Sequence, residues 1–380
     1  MTRLVVTLVL SMALPAFAAA PAVRTMRVPE GGIQPQVVAQ GEVVHLIYFI
    51  GDAKAGDVTY ARSTDGGKTF GPSIRVNSEP GAAIAVGTIR GPHLAVGRGG
   101  RAHVAWMGSG RATPKAPGNE TPMLYARLND AGDAFEPQRN VIAEHPGLDG
   151  GGSVAADDAG NVYVAWHAPG KRANHEEQGR CVWVARSSDD GKTFAPERRA
   201  NPDDTGVCAC CGLRAFADAS GVHVLYRTAC QRVHRDMHLL TSTDGERWSA
   251  AGVDRLELGT CIMSSGAMTR AGDRFFATWE GHGDVFFKQI GGAGEVGPRV
   301  ALTSAGNNRK HPVLAVNAKG EVLFAWTEGT AFNRGGSVAY QTFDKKLEPI
   351  RGAAGAAKGL PAWGTVAAFA RPDGSFVVIY

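Results

Sequence analysis

The sequence predicts an all-β protein, a β-propeller of seven four-stranded antiparallel blades. The first observation behind this is a turn motif written more than once. Ser63-Thr64-Asp65-Gly66-Gly67-Lys68-Thr69-Phe70 returns as Ser187-Ser188-Asp189-Asp190-Gly191-Lys192-Thr193-Phe194, sharing Ser-x-Asp-x-Gly-x-Thr-Phe. Ser242-Thr243-Asp244-Gly245-Glu246-Arg247-Trp248 repeats it one residue short, and Asp130-Ala131-Gly132-Asp133-Ala134-Phe135 keeps the Asp, the Gly and the aromatic. A fixed period of about 55 to 65 residues is the mark of a repeat architecture. The second observation is a short β-branched and aromatic run ending in Tyr or Trp, found seven times. The third is that no segment of ten or more residues carries a helical period.

Each repeat resolves into elements. The runs ending at Tyr48, Trp106, Trp166, Tyr226, Trp279, Trp326 and Tyr380 have strand chemistry, and each follows a Gly-containing turn such as Ala159-Gly160-Asn161. Upstream of each turn lies a shorter run rich in Ala, Val and Gly: residues 36–39, 93–96, 153–156, 213–217, 266–269, 312–316 and 365–370. Small side chains suit innermost strands crowded round a central axis. A third run follows, such as Val182-Trp183-Val184-Ala185-Arg186, then the Asp turn and a fourth strand such as residues 73–76. A ring of such meanders leaves only short, protected edges. The seventh unit stops at Tyr380 after two strands, so residues 22–28 are expected to close the ring on the last blade. Six blades is the rival count, if one inner hairpin is an insertion.

Composition narrows the class of partner and the compartment. Met1-Thr2-Arg3, the apolar run to Leu14 and Ala16-Phe17-Ala18 read as a cleaved export signal, too short to span a bilayer. This predicts a signal over residues 1–20, a single propeller domain over 21–380, and a periplasmic or secreted, soluble monomer. Formal charge is +4 with acids and bases interleaved, which leaves no basic stripe for a nucleic acid backbone.

The turns resemble the Asp-box (bacterial neuraminidase) repeats of the sialidase superfamily, and the resemblance covers nearly the whole mature chain. It implies that Asp65, Asp130, Asp189 and Asp244 hold hairpin turns on the face away from the substrate. It also implies three arginines gripping a substrate carboxylate, an Asp acid and a Tyr–Glu nucleophile. Arg90, Arg214 and Arg309 stand just before the inner strands of the second, fourth and sixth units, with Arg227 after the fourth unit's second strand. They are the expected ligand-binding set. Asp149 and Glu280 are the candidate catalytic carboxylates, since glycoside cleavage needs two about 5 to 10 Å apart. The family's Arg-Ile-Pro stretch corresponds to Ile33-Gln34-Pro35, which keeps only the Pro, and its Tyr position falls in Pro361-Ala362-Trp363-Gly364. The implied role is therefore to act on or bind a carbohydrate or another small anion at the top face.

The cysteines offer an alternative. Cys208-Ala209-Cys210-Cys211 leads into the fourth inner strand, Cys261 holds the same position one blade on, and Cys181 and Cys230 flank the region. In an oxidising compartment all six are disulfide candidates, with 15 possible pairings, and Cys181–Cys230 is one suggested inter-blade bridge. Thiolates and thioethers also select copper and other soft metals, which makes Cys210, Cys211, Cys261 and Met263 candidate ligands of a metal or redox site, with no resident cofactor as the simpler expectation.

Overall fold

The computed structural model describes residues 20–170, 177–230, 233–260, 262–291, 295–300, 302, 306 and 308–380. The expected export signal falls on residues 1–20, of which all but residue 20 lie outside these, as does Cys261. Seven blades form a ring. Blade one is Ile33–Gln40, Val43–Asp52, Ala55–Ser63 and Ile74–Arg75; blade two is His93–Val96, Ala102–Met107, Met123–Arg127 and Arg139–Asn140. Blade three is Ser153–Ala156, Val162–Pro169, Arg180–Ser187 and Arg198–Arg199; blade four is Arg214–Asp218, Gly221–Arg227, Met237–Ser242 and Ser249–Asp254. Blade six is Arg309–Val316, Val322–Glu328, Gly336–Phe343 and Pro349–Leu360. Five of the seven thus have four antiparallel strands.

Two blades depart from four strands among the described residues. Blade five has Ala267–Ala271, Arg274–Gly281 and Asp284–Ile290, with bridges from Phe287 to Val300 and from Ile290 to Val296 marking the place of a fourth. Blade seven has Ala367–Ala370 and Phe376–Ile379, completed by the N-terminal strand Val23–Met26. That strand runs parallel to its partner, with Val23 opposite Phe376 and Met26 opposite Ile379. The Val28 N–H donates to the Tyr380 carbonyl at 2.9 Å and extends the closure.

The core is divided into seven apolar clusters, one for each pair of adjacent blades. The aromatic ending each second strand explains why. Trp166, Trp279, Trp106, Tyr48 and Tyr226 are fully buried, and each wedges its ring between its own sheet and a neighbour. A buried apolar side chain of this size is worth roughly 1.5–3 kcal/mol, so the repeated residue is also the repeated source of inter-blade cohesion. Because first-to-second and third-to-fourth hairpins lie on one face, the second-to-third loops and the blade-to-blade connections share the other. The Asp turns are thereby set on the face opposite the mouths of the inner strands.

Candidate functional site

Asp65, Asp189 and Asp244 each lie in a turn tied by side-chain hydrogen bonds. Ser63 Oγ donates to Asp65 Oδ1 at 2.7 Å and accepts from the Gly67 N–H at 2.9 Å, while the Thr69 hydroxyl and N–H both reach the Asp65 carboxylate. Those donors hold the Asp65 carboxyl well below the usual range. Ser187 with Asp189, and Ser242 with Asp244, repeat the pattern. Asp130 is the exception. Asn129 accepts the turn N–H groups of Gly132 and Asp133, and Asp130 instead pairs with Arg101 at 2.5 Å. The signal missed was the residue before it, since Asn caps a turn as well as Asp does.

On the opposite face a narrow cleft opens on the axis, among the mouths of the inner strands. Arg214, the first residue of blade four, lines both this cleft and the small-residue channel below, and so stands between them. Its guanidinium donates to Gln36 Oε1 at 2.6 Å, His93 Nδ1 at 3.0 Å and the Gly266 carbonyl at 3.2 Å. No carboxylate pairs with it among the described residues. Burial lowers its pKa to about 10, and burial together with the Arg214 charge holds His93 neutral.

A side cavity of about 230 Å³ adjoins the cleft, sharing Thr88 and His311 with it. It is lined by Lys310, Arg334, Asn308 and Met263, with Phe332 and Trp363 as an edge-to-face aromatic pair 6.2 Å apart. Phe332 is 66% exposed, the larger of two exposed large apolar side chains among the described residues. Among the described residues no Asp or Glu lines either hollow. Gln34, Thr88, Met263, Asn308, His311 and Trp363 all have positive φ without being glycine, and all six line one or both hollows. Such strain persists only where surroundings over-determine it, and it gathers at binding sites.

Of the expected ligand set, only Arg214 reaches the axis. Arg90 is spent on Asp149, with Nη2 at 2.9 Å from Oδ1 and Nε donating to the Asp149 carbonyl at 2.7 Å. Arg309 is 1% exposed, paired with Asp284 at 3.0 Å and Glu328 at 3.3 Å over the Trp326 ring. Strand alternation is the reason: one residue on, Lys310 faces the side cavity instead. Arg227 is buried and donates to Ser264 Oγ and to the Arg235 and Glu280 carbonyls. Glu280 sits behind the wall, accepting from the Ser265 and His311 N–H groups and pairing with Lys310 at 3.2 Å. Its Oε1 lies 3.5 Å from His311 Nδ1. Asp149 and Glu280 therefore do not face each other across a cleft. One is tied to Arg90, the other to blade six.

The cysteines also separate. Cys181, Cys211 and Cys230 are free thiols. The suggested Cys181–Cys230 bridge is absent because Cys181 points into the apolar core between blades two and three, where burial raises its pKa. Met263 lines the side cavity. Cys208 Sγ is 3.2 Å from Cys211 Sγ and 3.9 Å from Cys210 Sγ. The sequence reading overlooked that Cys208 and Cys211 are spaced Cys-x-x-Cys.

No family model and no curated protein matches the chain. Solved structures do. A protein of unknown function from Dyadobacter fermentans DSM 18053 superposes with TM-score 0.54 at 14% identity, covering 83% of this chain and 96% of that one. The Hadza microbial sialidase Hz136 gives 0.53 at 14%, over 83% of this chain and 66% of that chain. The α-L-arabinanase of Penicillium chrysogenum, complexed with arabinobiose, gives 0.52 at 15%, over 84% and 95%. The fold is a sialidase-like propeller. At these identities the likeness speaks for the fold, and the seven-bladed ring agrees with it.

Proposed function

We propose that this protein is an exported, carbohydrate-directed propeller that binds an anionic saccharide, carboxylated or sulfated, across the axial cleft and side cavity. The observation that carries this is the lining itself. Arg214, Lys310 and Arg334 supply cationic donors, Phe332 and Trp363 supply a flat apolar surface, and no carboxylate lines either hollow among the described residues. Among the described residues Arg334 forms no ion pair and its guanidinium makes no hydrogen bond. Arg214 bonds only neutral acceptors. Guanidinium groups held this way match an oxyanion bidentately, and aromatic rings take the apolar face of a sugar. The neighbouring sialidase and the arabinanase in complex with arabinobiose support a saccharide over another anion.

The same lining speaks against two-carboxylate glycoside hydrolysis at this site, which needs an acid and a second carboxylate facing the scissile bond. His311 is the group placed for proton transfer, lining both hollows with Glu280 behind its Nδ1. Burial lowers its pKa to about 4, so it is neutral near pH 7 and accepts a proton only weakly. Calorimetric titration with an oligogalacturonide and with its methyl ester tests the reading. The acid form is expected to bind at least tenfold more tightly, a difference of about 1.4 kcal/mol, with that preference lost in Arg214→Gln and reduced in Arg334→Ala. Equal affinity for acid and ester, repeated with a sulfated oligosaccharide and its desulfated form, would overturn it.

A further inference from the structure

Gln34, at the mouth of blade one, is held against local preference. It stands before Pro35, where a residue is ordinarily extended, yet its φ is +52°. The strand pairing slips between Ile33 and Gln36 to admit it, an irregularity of the kind that re-aims a side chain beside a site. His311, before Pro312 in blade six, repeats the device with φ +54° and a slip between Lys310 and Val313. Gln34 is 3% exposed, and its Oε1 is buried with no hydrogen-bond partner. That oxygen abuts Gly91, where a Cβ would overlap it. A buried acceptor left unsatisfied is destabilising, so it calls for a compensating interaction on the same side chain.

The compensation lies on Nε2. It donates to the Ala85 carbonyl at 2.6 Å and to the Trp363 carbonyl at 3.1 Å. Turning the amide over would set Oε1 against both carbonyls, so its orientation is fixed. Ala85 belongs to the connection from blade one to blade two, and Trp363 to that from blade six to blade seven. Trp363 lies outside any strand with φ +56°, in a turn closed by the Gly364 N–H to the Pro361 carbonyl at 3.0 Å. Its own Nε1 is buried without a partner, and among the described residues the bond from Gln34 is the one hydrogen bond it makes. We propose that Gln34 is a positioning residue, whose carboxamide lines the axial cleft and fixes Trp363 as the aromatic surface of the side cavity. This rests on the saccharide reading above and divides the work of that site. Arg214 reads the anion, and Gln34, acting through Trp363, sets how the apolar face of the sugar is met. A surface held beforehand in its bound conformation loses less freedom when the ligand arrives.

The test uses the full chain labelled with 5-fluorotryptophan at its seven tryptophans, with the Trp363 fluorine resonance assigned through Trp363→Phe. Gln34→Met keeps the length and removes both bonds; Gly91→Ala displaces the same carboxamide from the other side. Each is expected to shift and broaden the Trp363 resonance while the other six hold. Each should also weaken the oligogalacturonide and its methyl ester alike, by about three- to tenfold, so that the acid-to-ester ratio set by Arg214 is unchanged. A Trp363 resonance unmoved in both variants would overturn the proposal, and so would full affinity for both saccharides beside a displaced resonance. All seven resonances moving together would make Gln34 a support of the fold alone and would also overturn it. Wild-type protein that binds neither saccharide would sink the saccharide reading, and the fluorine spectra would then decide the clamp on Trp363 by themselves.

Discussion

Arg214 and Arg309 each open an inner strand, opposite Leu225 and Glu328 respectively, and they do different work. Arg214 ends in neutral acceptors on the axis, whereas Arg309 is enclosed by Asp284, Glu328 and Trp326. Arg309→Ala should therefore cost stability, on the order of 1.5–3 kcal/mol in urea unfolding, because it removes a buried guanidinium that holds two partly exposed carboxylates. Saccharide affinity of the folded variant should stay within a factor of two. Loss of binding with unchanged unfolding would reverse these roles. Sequence position alone did not separate the two residues, since the deciding feature is which side of the strand faces the axis. The exposed aromatic Phe332, in the Gly329–Gly335 loop after a second strand, was a readable clue that the arginine search passed over.

Among elements, the Asp turn contributes more than its own hydrogen bonds. The turn glycines lie flat on the aromatic of the preceding blade. A Cβ on Gly191 would stand 1.8 Å from the Tyr125 hydroxyl, and one on Gly245 would stand 2.6 Å from the Tyr163 ring. Both glycines have positive φ. The motif is thus a turn and an inter-blade contact together, which explains why its Gly persists even in the shortened copy. Ser187→Ala removes the acceptor for the Gly191 N–H and the donor to Asp189, and should cost about 1–2 kcal/mol. Gly191→Ala should cost more, through strain and displacement of Tyr125. Both are checked by denaturant midpoints, and neither should alter ligand affinity. A Gly191→Ala cost below that of Ser187→Ala would show that the inter-blade contact is loose.

For the whole molecule, burial of histidine is the property with a measurable signature. His45 and His103 sit at equivalent positions of second strands and bond Tyr60 and Tyr125 on the third strands at 2.8 and 2.7 Å. Burial lowers His45 and His311 to about 4, and His103 and His167 to about 3, from an ordinary 6.5. Below pH 6.5 the unfolded chain takes up protons that the folded chain refuses, so stability falls as pH drops from about 6.5 toward 3. Above 6.5 these groups contribute no slope. Urea midpoints should be level between pH 7 and 8 and decline steadily below 6.5. A midpoint unchanged down to pH 4.5 would show that these imidazoles are hydrated.

By itself the sequence determined the class of fold, the number of inner hairpins and the strand from the N-terminus that closes the ring. It could do so because period, alternation and turn chemistry are local properties, repeated seven times. Strand boundaries such as His93–Val96 and Ser153–Ala156 coincide with the runs read from the chain. Only the tertiary structure decided the parallel sense of the closing strand, the pairing of Arg90 with Asp149 and the place of Arg214 alone on the axis. Those outcomes depend on which blades become neighbours and which side of a strand faces inward. The positive-φ residues round the cleft depend on contacts between segments far apart in the chain, and no local pattern announces them.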